Sequence, residues 1–514
     1  MASPRSTTLH RILEFISRGG NDYRLTRFVI LRLLGIVYAV AFLAAANQIV
    51  PLIGQHGLTP ATDYLPRLEI YFGSKFNAAL QIPTLFWFGI SDQGLTIFSW
   101  VGFALSLIVI AGYANAILLT ILWAMYMSIV HIGQIWYGYG WETQLLETGF
   151  LAIFLCPLID WRPFPKRPPP IVVLWLFRWL GFRIMLGAGL IKIRGDTCWR
   201  DLTCMYYHYE TQPIPSPISR YLHFAPHWFH KIETAWNHFI ELVVPWFSFG
   251  PRTVRHVAGV LLVSFQLLLV VSGNLSFLNY VTIIPFLACF DDTFWRRILP
   301  SRLIRRSERS DSIPELPLVQ RVVVLILTAT VIWLSRNPVA NLVSSRQAMN
   351  TSFDPLQLVN TYGAFGVVGR ERNEIIFEGT TDEMITGDTK WQPYEFKAKP
   401  GDPNRAPPFI APYQPRIDWQ IWFAAMSTPS EYPWTLHLVW RLLHNDAGTL
   451  SLLANNPFPD APPKYIRARL YRYRFAPLGQ KGWWTREPGA QWLPALSTED
   501  SEFRRVLEAM NWLD

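Results

Sequence analysis

The stretch from Gly187 to Pro251 reads GAGLIKIRGDTCWRDLTCMYYHYETQPIPSPISRYLHFAPHWFHKIETAWNHFIELVVPWFSFGP. It leaves one hydrophobic segment, crosses a dense polar and aromatic region, and enters another. Read as a loop between two lipid-compatible runs, it sets the expectation for the whole chain. Before position 337 the apolar residues collect in runs of about 16–25, the length a helix needs to cross a bilayer. The 514-residue chain is 51% hydrophobic and holds 23 Trp and 33 Phe, yet beyond 337 its composition is that of an ordinary soluble domain. The expected fold is a polytopic α-helical membrane protein with a soluble C-terminal domain.

Working outward, the run 171–190 precedes the loop and carries Arg178 and Arg183. Upstream lie candidate spans at 28–50, 95–113, 116–133 and 144–159; the broken segment 51–93 reads as short interfacial helices on the outer face. Downstream lie 254–271, 277–290 and 318–334. Charge decides the parity. Arg296, Arg297, Arg302, Arg305, Arg306 and Arg309 mark 294–311 as cytoplasmic, which requires 232–247 to cross as well. About nine spans result. The plan is then a cytoplasmic basic lead-in (1–27), a transmembrane domain (28–336) with an extracytoplasmic loop (192–231), and an extracytoplasmic domain (337–514). The lead-in lacks the continuous apolar core and cleavage site of a signal peptide. The formal charge of +9 falls mainly in short linkers, so it speaks for the bilayer as partner and not for nucleic acid.

In the C-terminal domain, strands are expected at 362–370, 374–378, 391–397 and 465–475, and helices at 434–443 and 501–513. The clearest strand alternates Ile466, Ala468 and Leu470 with Arg467, Arg469 and Tyr471. A strand-rich α+β or β-sandwich-like domain follows.

Ionised side chains inside lipid are costly without a partner or water. Glu142 and Glu147 lie at the outer mouth of one span; Arg178 and Arg183 lie inside another, followed by Lys192, Arg194 and Asp196. With His208, Glu210, His238 and Glu241 they form either a structural network that locks the bundle or a polar cavity that holds a substrate or client group. Cys198 and Cys204 can close a local disulfide or remain buried thiols. The histidines and acids of the loop include no HExxH, and the chain has no GxSxG elbow, phosphate loop or GxGxxG before a helix. No catalytic residue, metal or other cofactor is expected. Trp419, Trp422, Trp483 and Trp484 are candidate client-contact residues.

The segments RGDTCWRDLTCM (Arg194–Met205), YHYETQPIP (Tyr207–Pro215) and NHFIELVVP (Asn237–Pro245) closely resemble the lipase maturation factor family. LLETGFLAIFL (Leu145–Leu155), FRWLGFR (Phe177–Arg183) and YGAFG (Tyr362–Gly366) are similar to its other motifs, and the resemblance covers essentially the whole chain. It implies a multi-pass protein of the endoplasmic reticulum membrane with a luminal domain, aiding the folding or assembly of secreted lipases. The ending Asn511–Asp514 carries no evident retention tail, so a bacterial inner-membrane homologue with a periplasmic domain is expected. A weaker similarity to vitamin K-dependent carboxylases supplies the alternative of a membrane enzyme acting on a lipid or protein; a non-catalytic scaffold is the third reading.

Overall fold

A computed structural model describes residues 19–308 and 316–513. Most of the basic lead-in (1–18), together with Arg309 and Asp311 of the arginine-rich loop, lies outside them.

The apolar runs form helices because each supplies a turn-by-turn apolar surface with a stop at either end. The principal ones are α1 (Arg24–Ile53), α2 (Asp92–Ala111), α3 (Ala116–Ile132), α4 (Gly140–Ile153), α5 (Ile171–Arg194), α6 (His227–His238), α7 (Arg252–Ser272), α8 (Leu278–Leu287) and α9 (Leu318–Leu334). Ser91 caps α2 and Asn115 caps α3, each accepting a backbone N–H of the first turn. Between α1 and α2 run short helices, Ala61–Phe72 and Lys75–Gln81.

Five helical stretches among the described residues, not nine, are long and apolar enough to cross a membrane: Asn21–Ile53, Asp92–Ala111, Ile171–Arg194, Arg252–Ser272 and Leu318–Val343. The remaining candidates are short or interrupted. α8 has 10 residues and α4 has 14. The run at 232–247 belongs to α6, which continues through a π turn (Phe239–Val243) and a 3-10 turn (Val244–Phe249). Pro245 lacks the N–H that would bond the carbonyl of Glu241, so a regular ladder cannot continue there. This broken run still packs antiparallel along α5. Leu242 lies over Gly189, Trp246 meets Phe182 edge-on at 4.8 Å, and Phe249 lies 5.8 Å from Trp175.

Burial separates two classes of helix. In α5, 78% of the apolar window is buried, against 28% in α2 and 33% in α7. α5 is therefore the central post, and α2 and α7 present Ile97, Trp100, Val101, Leu267 and Leu268 outward as lipid-facing side chains.

The C-terminal region holds one antiparallel sheet in the order β2-β1-β3-β4, built from β1 (Arg372–Thr380), β2 (Gln392–Pro393), β3 (Tyr465–Phe475) and β4 (Trp484–Leu496). Helices α10 (Arg416–Ala424), α11 (Trp434–Leu443) and α12 (Ser501–Ala509) accompany it. This is an α+β arrangement with a single sheet, not a sandwich. Residues 362–370 form no strand. Their backbone is engaged elsewhere: Gly366 O accepts from Asp196 N at 2.9 Å, and Phe365 O accepts from Trp199 Nε1 at 2.8 Å. One apolar cluster runs unbroken from Tyr23 through the bundle to Trp512.

Candidate functional site

α5 passes through the centre of the bundle with three buried cations, and each meets a different partner. Arg178 donates through Nε to Ala288 O at 2.9 Å and through Nη2 to the Tyr23 hydroxyl at 3.1 Å. Arg183 pairs with Glu147 of α4 and donates to Asn360 O at 2.6 Å. Lys192 donates to Glu241 at 2.5 Å and to Asn237 at 3.0 Å, and Asn237 in turn donates to Glu241 at 2.9 Å. Buried carboxylates and cations in a low-dielectric interior persist when each is paired and its remaining lone pairs are filled.

Glu147 illustrates the filling. Besides Arg183, its carboxylate accepts from Asn360 N at 3.0 Å, Asn360 Nδ2 at 3.2 Å and the Tyr362 hydroxyl at 2.7 Å. The segment from Asn360 to Tyr362 is thus pinned against α4 and α5. Gly187 makes the approach possible, because a Cβ there would lie 2.4 Å from Tyr362 O. Glu142 opens a second tie. It accepts from Tyr126 and, at 2.8 Å, from Arg416 Nη1, which also donates to Trp136 O at 2.6 Å. The Arg416 guanidinium lies 3.5 Å from the centre of the Tyr137 ring. Burial opposes the charge on Arg416, but Glu142, Tyr137 and Tyr126 outweigh it and hold the group above its ordinary pKa.

The loop after α5 is fastened in the same way. Asp196 caps the turn at Cys198 N (3.0 Å) and accepts from Arg370 at 2.9 Å. Arg194, the last residue of α5, donates to Gln347 at 2.7 Å. Cys198 and Cys204 form a disulfide, with Cα atoms 4.8 Å apart, buried beside Trp199 and Val368. Asp196, Cys198 and Cys204 place potential ligand atoms within 4.8 Å of one another, but both sulfurs are spent on the bond and the carboxylate on the cap. His208 packs edge-on to Phe365, and burial, then the nearby Lys192 charge, lowers its pKa to about 4. Glu210 accepts from Phe475 N at 2.7 Å, with His223 at 3.6 Å; burial raises its pKa. His238 Nε2 lies 2.9 Å from Trp199 O, so the ring sits on the loop backbone and not on Glu241.

The candidate polar residues therefore do not converge on one cavity. They fall into separate local networks, most of which join the bundle to the region beyond 337. The four tryptophans are not a surface. Trp419 and Trp484 are buried, and Trp422 and Trp483 are half-buried, because each packs inside an aromatic cluster or against an arginine.

Several fastening residues escaped sequence reasoning. Arg372 donates to the carbonyls of Glu210, Gln212 and Pro213. Arg220 grips Ala476, Pro477 and Gly482 through their carbonyls. Asn274 donates to Pro215 O and Pro408 O and accepts from Ile410 N and Ala411 N. The one signal for these was a lone polar side chain beside an apolar run, which Asn274 shows.

These features define a class: a multi-pass helical membrane protein whose C-terminal α+β region is clamped to one end of its bundle. The profile of the lipase maturation factor transmembrane domain matches residues 25–297, and that of the lipase maturation factor C-terminal domain matches 358–494. Lipase maturation factor 1 of Mus musculus is 50% identical over 503 residues, 93% of this chain and 88% of that protein. The Homo sapiens protein of the same name is 46% identical over 95% of this chain and 90% of its own length. Lipase maturation factor 2 of Homo sapiens is 28% identical over 94% and 84%. The chain belongs to the lipase maturation factor family. These relatives are vertebrate proteins and do not mark the chain as a bacterial-type homologue. No solved structure matches it.

Proposed function

We propose that this protein is a membrane-bound maturation factor that assists the folding or assembly of a secreted lipase. The observation that carries the reading is the 50% identity to lipase maturation factor 1 of Mus musculus across both regions and nearly the full length of each chain. The geometry supports it through what the polar residues do. The buried acids Glu142, Glu147, Glu241 and Glu374 are each committed to a cation, so their work is to hold a shape.

The orientation follows from charge. Arg24, Arg27, Arg252, Arg255 and Arg296 gather at the end of the bundle opposite the C-terminal region, and basic loops stay in the cytoplasm. Residues 1–27 are then cytoplasmic, and 192–231 and 337–514 face the lumen of the endoplasmic reticulum. The four shorter or interrupted segments cross as well, nine crossings in all. They are tolerated because protein, not lipid, surrounds most of their irregular backbone. The client is a secreted lipase, met on the luminal face.

The test is complementation. Cells lacking their own lipase maturation factor 1 should regain secretion of active lipase when they express this chain. Stable, membrane-inserted expression without any recovery of lipase activity overturns the proposal.

A further inference from the structure

The chain contains two Asn-X-Ser/Thr triplets of the kind that accept an N-linked glycan, Asn274-Leu275-Ser276 and Asn350-Thr351-Ser352. The structure treats them in opposite ways. Asn274 is buried, 1% exposed, in the short link between α7 and α8. Its Nδ2 donates to Pro215 O at 3.0 Å and to Pro408 O at 2.7 Å, and its Oδ1 accepts two more backbone N–H groups. A sugar on that nitrogen would take one of its two N–H donors and has no room. The link also sits at the very ends of two bundle helices, where a membrane-bound transferase has no slack chain to grip.

Asn350 lies on the exposed stretch between α9 and the segment pinned at Asn360. Its φ of 50° is a left-handed conformation that asparagine accepts readily. The single hydrogen bond of its amide uses the oxygen, which accepts from Gly363 N at 3.2 Å. The amide packs against Gly140, where an added Cβ would meet its oxygen and Cγ before its nitrogen. The nitrogen is therefore spare. Ser352 adds an independent mark: its hydroxyl is buried and has no partner among the described residues. A buried orphan hydroxyl costs stability, so the fold alone gives no reason for serine at that position.

We propose that Asn350 carries an N-linked glycan and that Asn274 does not. Asn350 Nδ2 attacks the anomeric carbon of a polyprenyl-diphosphate-linked oligosaccharide. The new C–N bond replaces the C–O bond to diphosphate, the polyprenyl diphosphate departs, and the nitrogen gives up one proton. The hydroxyl two residues on serves the transferase before folding buries it. The inference rests on the luminal placement of 337–514 proposed above.

The experiment separates the two. The full tagged chain is expressed in cultured animal cells, and its gel mobility is compared with and without peptide-N-glycosidase. One mobility step is expected. Ser352→Ala should abolish it without removing a hydrogen bond, and Ser276→Ala should leave it intact. A control carries Gly387→Asn in the Ser352→Ala background, completing a triplet with Asp388 and Thr389 on an exposed loop where an added Cβ meets nothing within 4 Å. If the control gains a step while Asn350 in the parent chain shows none, the glycan proposal falls and the luminal placement stands. If neither is modified, the luminal placement falls and takes the proposal with it. A step lost with Ser276→Ala and kept with Ser352→Ala also overturns it.

Discussion

Glu142→Ala is the perturbation with the most to say about how the two regions are held together. Glu142 and Arg416 are both fully buried and lie 274 residues apart in sequence. Removing the carboxylate leaves two groups short: the Arg416 guanidinium loses its charged acceptor and keeps only Trp136 O and the Tyr137 ring face, and Tyr126 loses its acceptor. Stranding one member of a buried ion pair costs about 3–5 kcal/mol, and an unsatisfied hydroxyl adds about 1–3 kcal/mol. Because the two losses share one site, the sum is an upper bound. A loss of about 4 kcal/mol is a large fraction of the 5–15 kcal/mol that ordinarily separates native from unfolded.

The companion Glu142→Met with Arg416→Met keeps the volume and removes both charges. Exchanging a buried pair for apolar groups is often near neutral, so the double variant should recover most of the loss. The assay is thermal melting of the purified full chain in detergent, together with limited proteolysis at the proline-rich 401–415 segment, which flanks Arg416. The single variant should melt well below the parent and be cut faster; the double should approach the parent on both. Equal damage in single and double would mean that the charge pair is not what clamps α10 to the bundle, and an unchanged single variant would mean the same.

Three further outcomes follow from other parts of the molecule. Gly187→Ala should lower the melting temperature by the equivalent of about 1–3 kcal/mol, because its Cβ would meet the Tyr362 carbonyl at 2.4 Å and backbone cannot step aside; Gly387→Ala, in open space, should not. Thiol labelling of the undenatured protein should find no reactive cysteine, since Cys156 and Cys289 are buried; unfolding without reductant should expose those two, and reduction should expose all four. Acid should weaken the fold through His208. Its folded pKa near 4 lies below the ordinary 6.5, so the unfolded chain binds more protons between those values. Stability is fully present above about pH 6.5 and falls on acidification, by roughly 3 kcal/mol in total for this buried group. His208→Phe should flatten that part of the pH–melting curve, and an unaltered slope would count against the assignment.

What could be read in the sequence and what could not divides along one physical line. Runs whose environment is uniform announced themselves. The apolar stretches of α1, α2, α3, α5, α7 and α9 are helices near the expected limits, and the strand expected at 465–475 has the bounds of β3, although its buried face passes from Ile466 and Ala468 to Tyr473 and Phe475 across register shifts against β4. Segments whose conformation is dictated by a distant partner did not. Residues 362–370 carry the valines and aromatics of a strand, but Asp196 and Trp199 draw off their carbonyls. β4 was missed because Pro488 and Gly489 break its pattern; it is an edge strand, where a missing N–H faces no neighbour. Charges placed the candidate residues in the right neighbourhoods. Their pairings were illegible, since Glu142–Arg416 and Glu147–Asn360 join positions more than two hundred residues apart.

The boundary at 337 is a boundary of composition and not of structure. A free-standing domain would close its own core and turn polar side chains toward the bundle. Here the apolar cluster is continuous, and the region beyond 337 sends Asn360, Tyr362 and Arg416 in among the helices while the bundle's loops send Arg220 back beneath the sheet. Each tie buries a charged or hydrogen-bonding group with a partner across the boundary. Undocking would expose all of these groups and strand several of them together, so the energetic cost of partial separation is steep at the first step. A rigid platform of this kind cannot work by swinging a domain toward its client. If this chain guides the assembly of a lipase, it does so by presenting a fixed surface, and the parts able to adapt belong to the client.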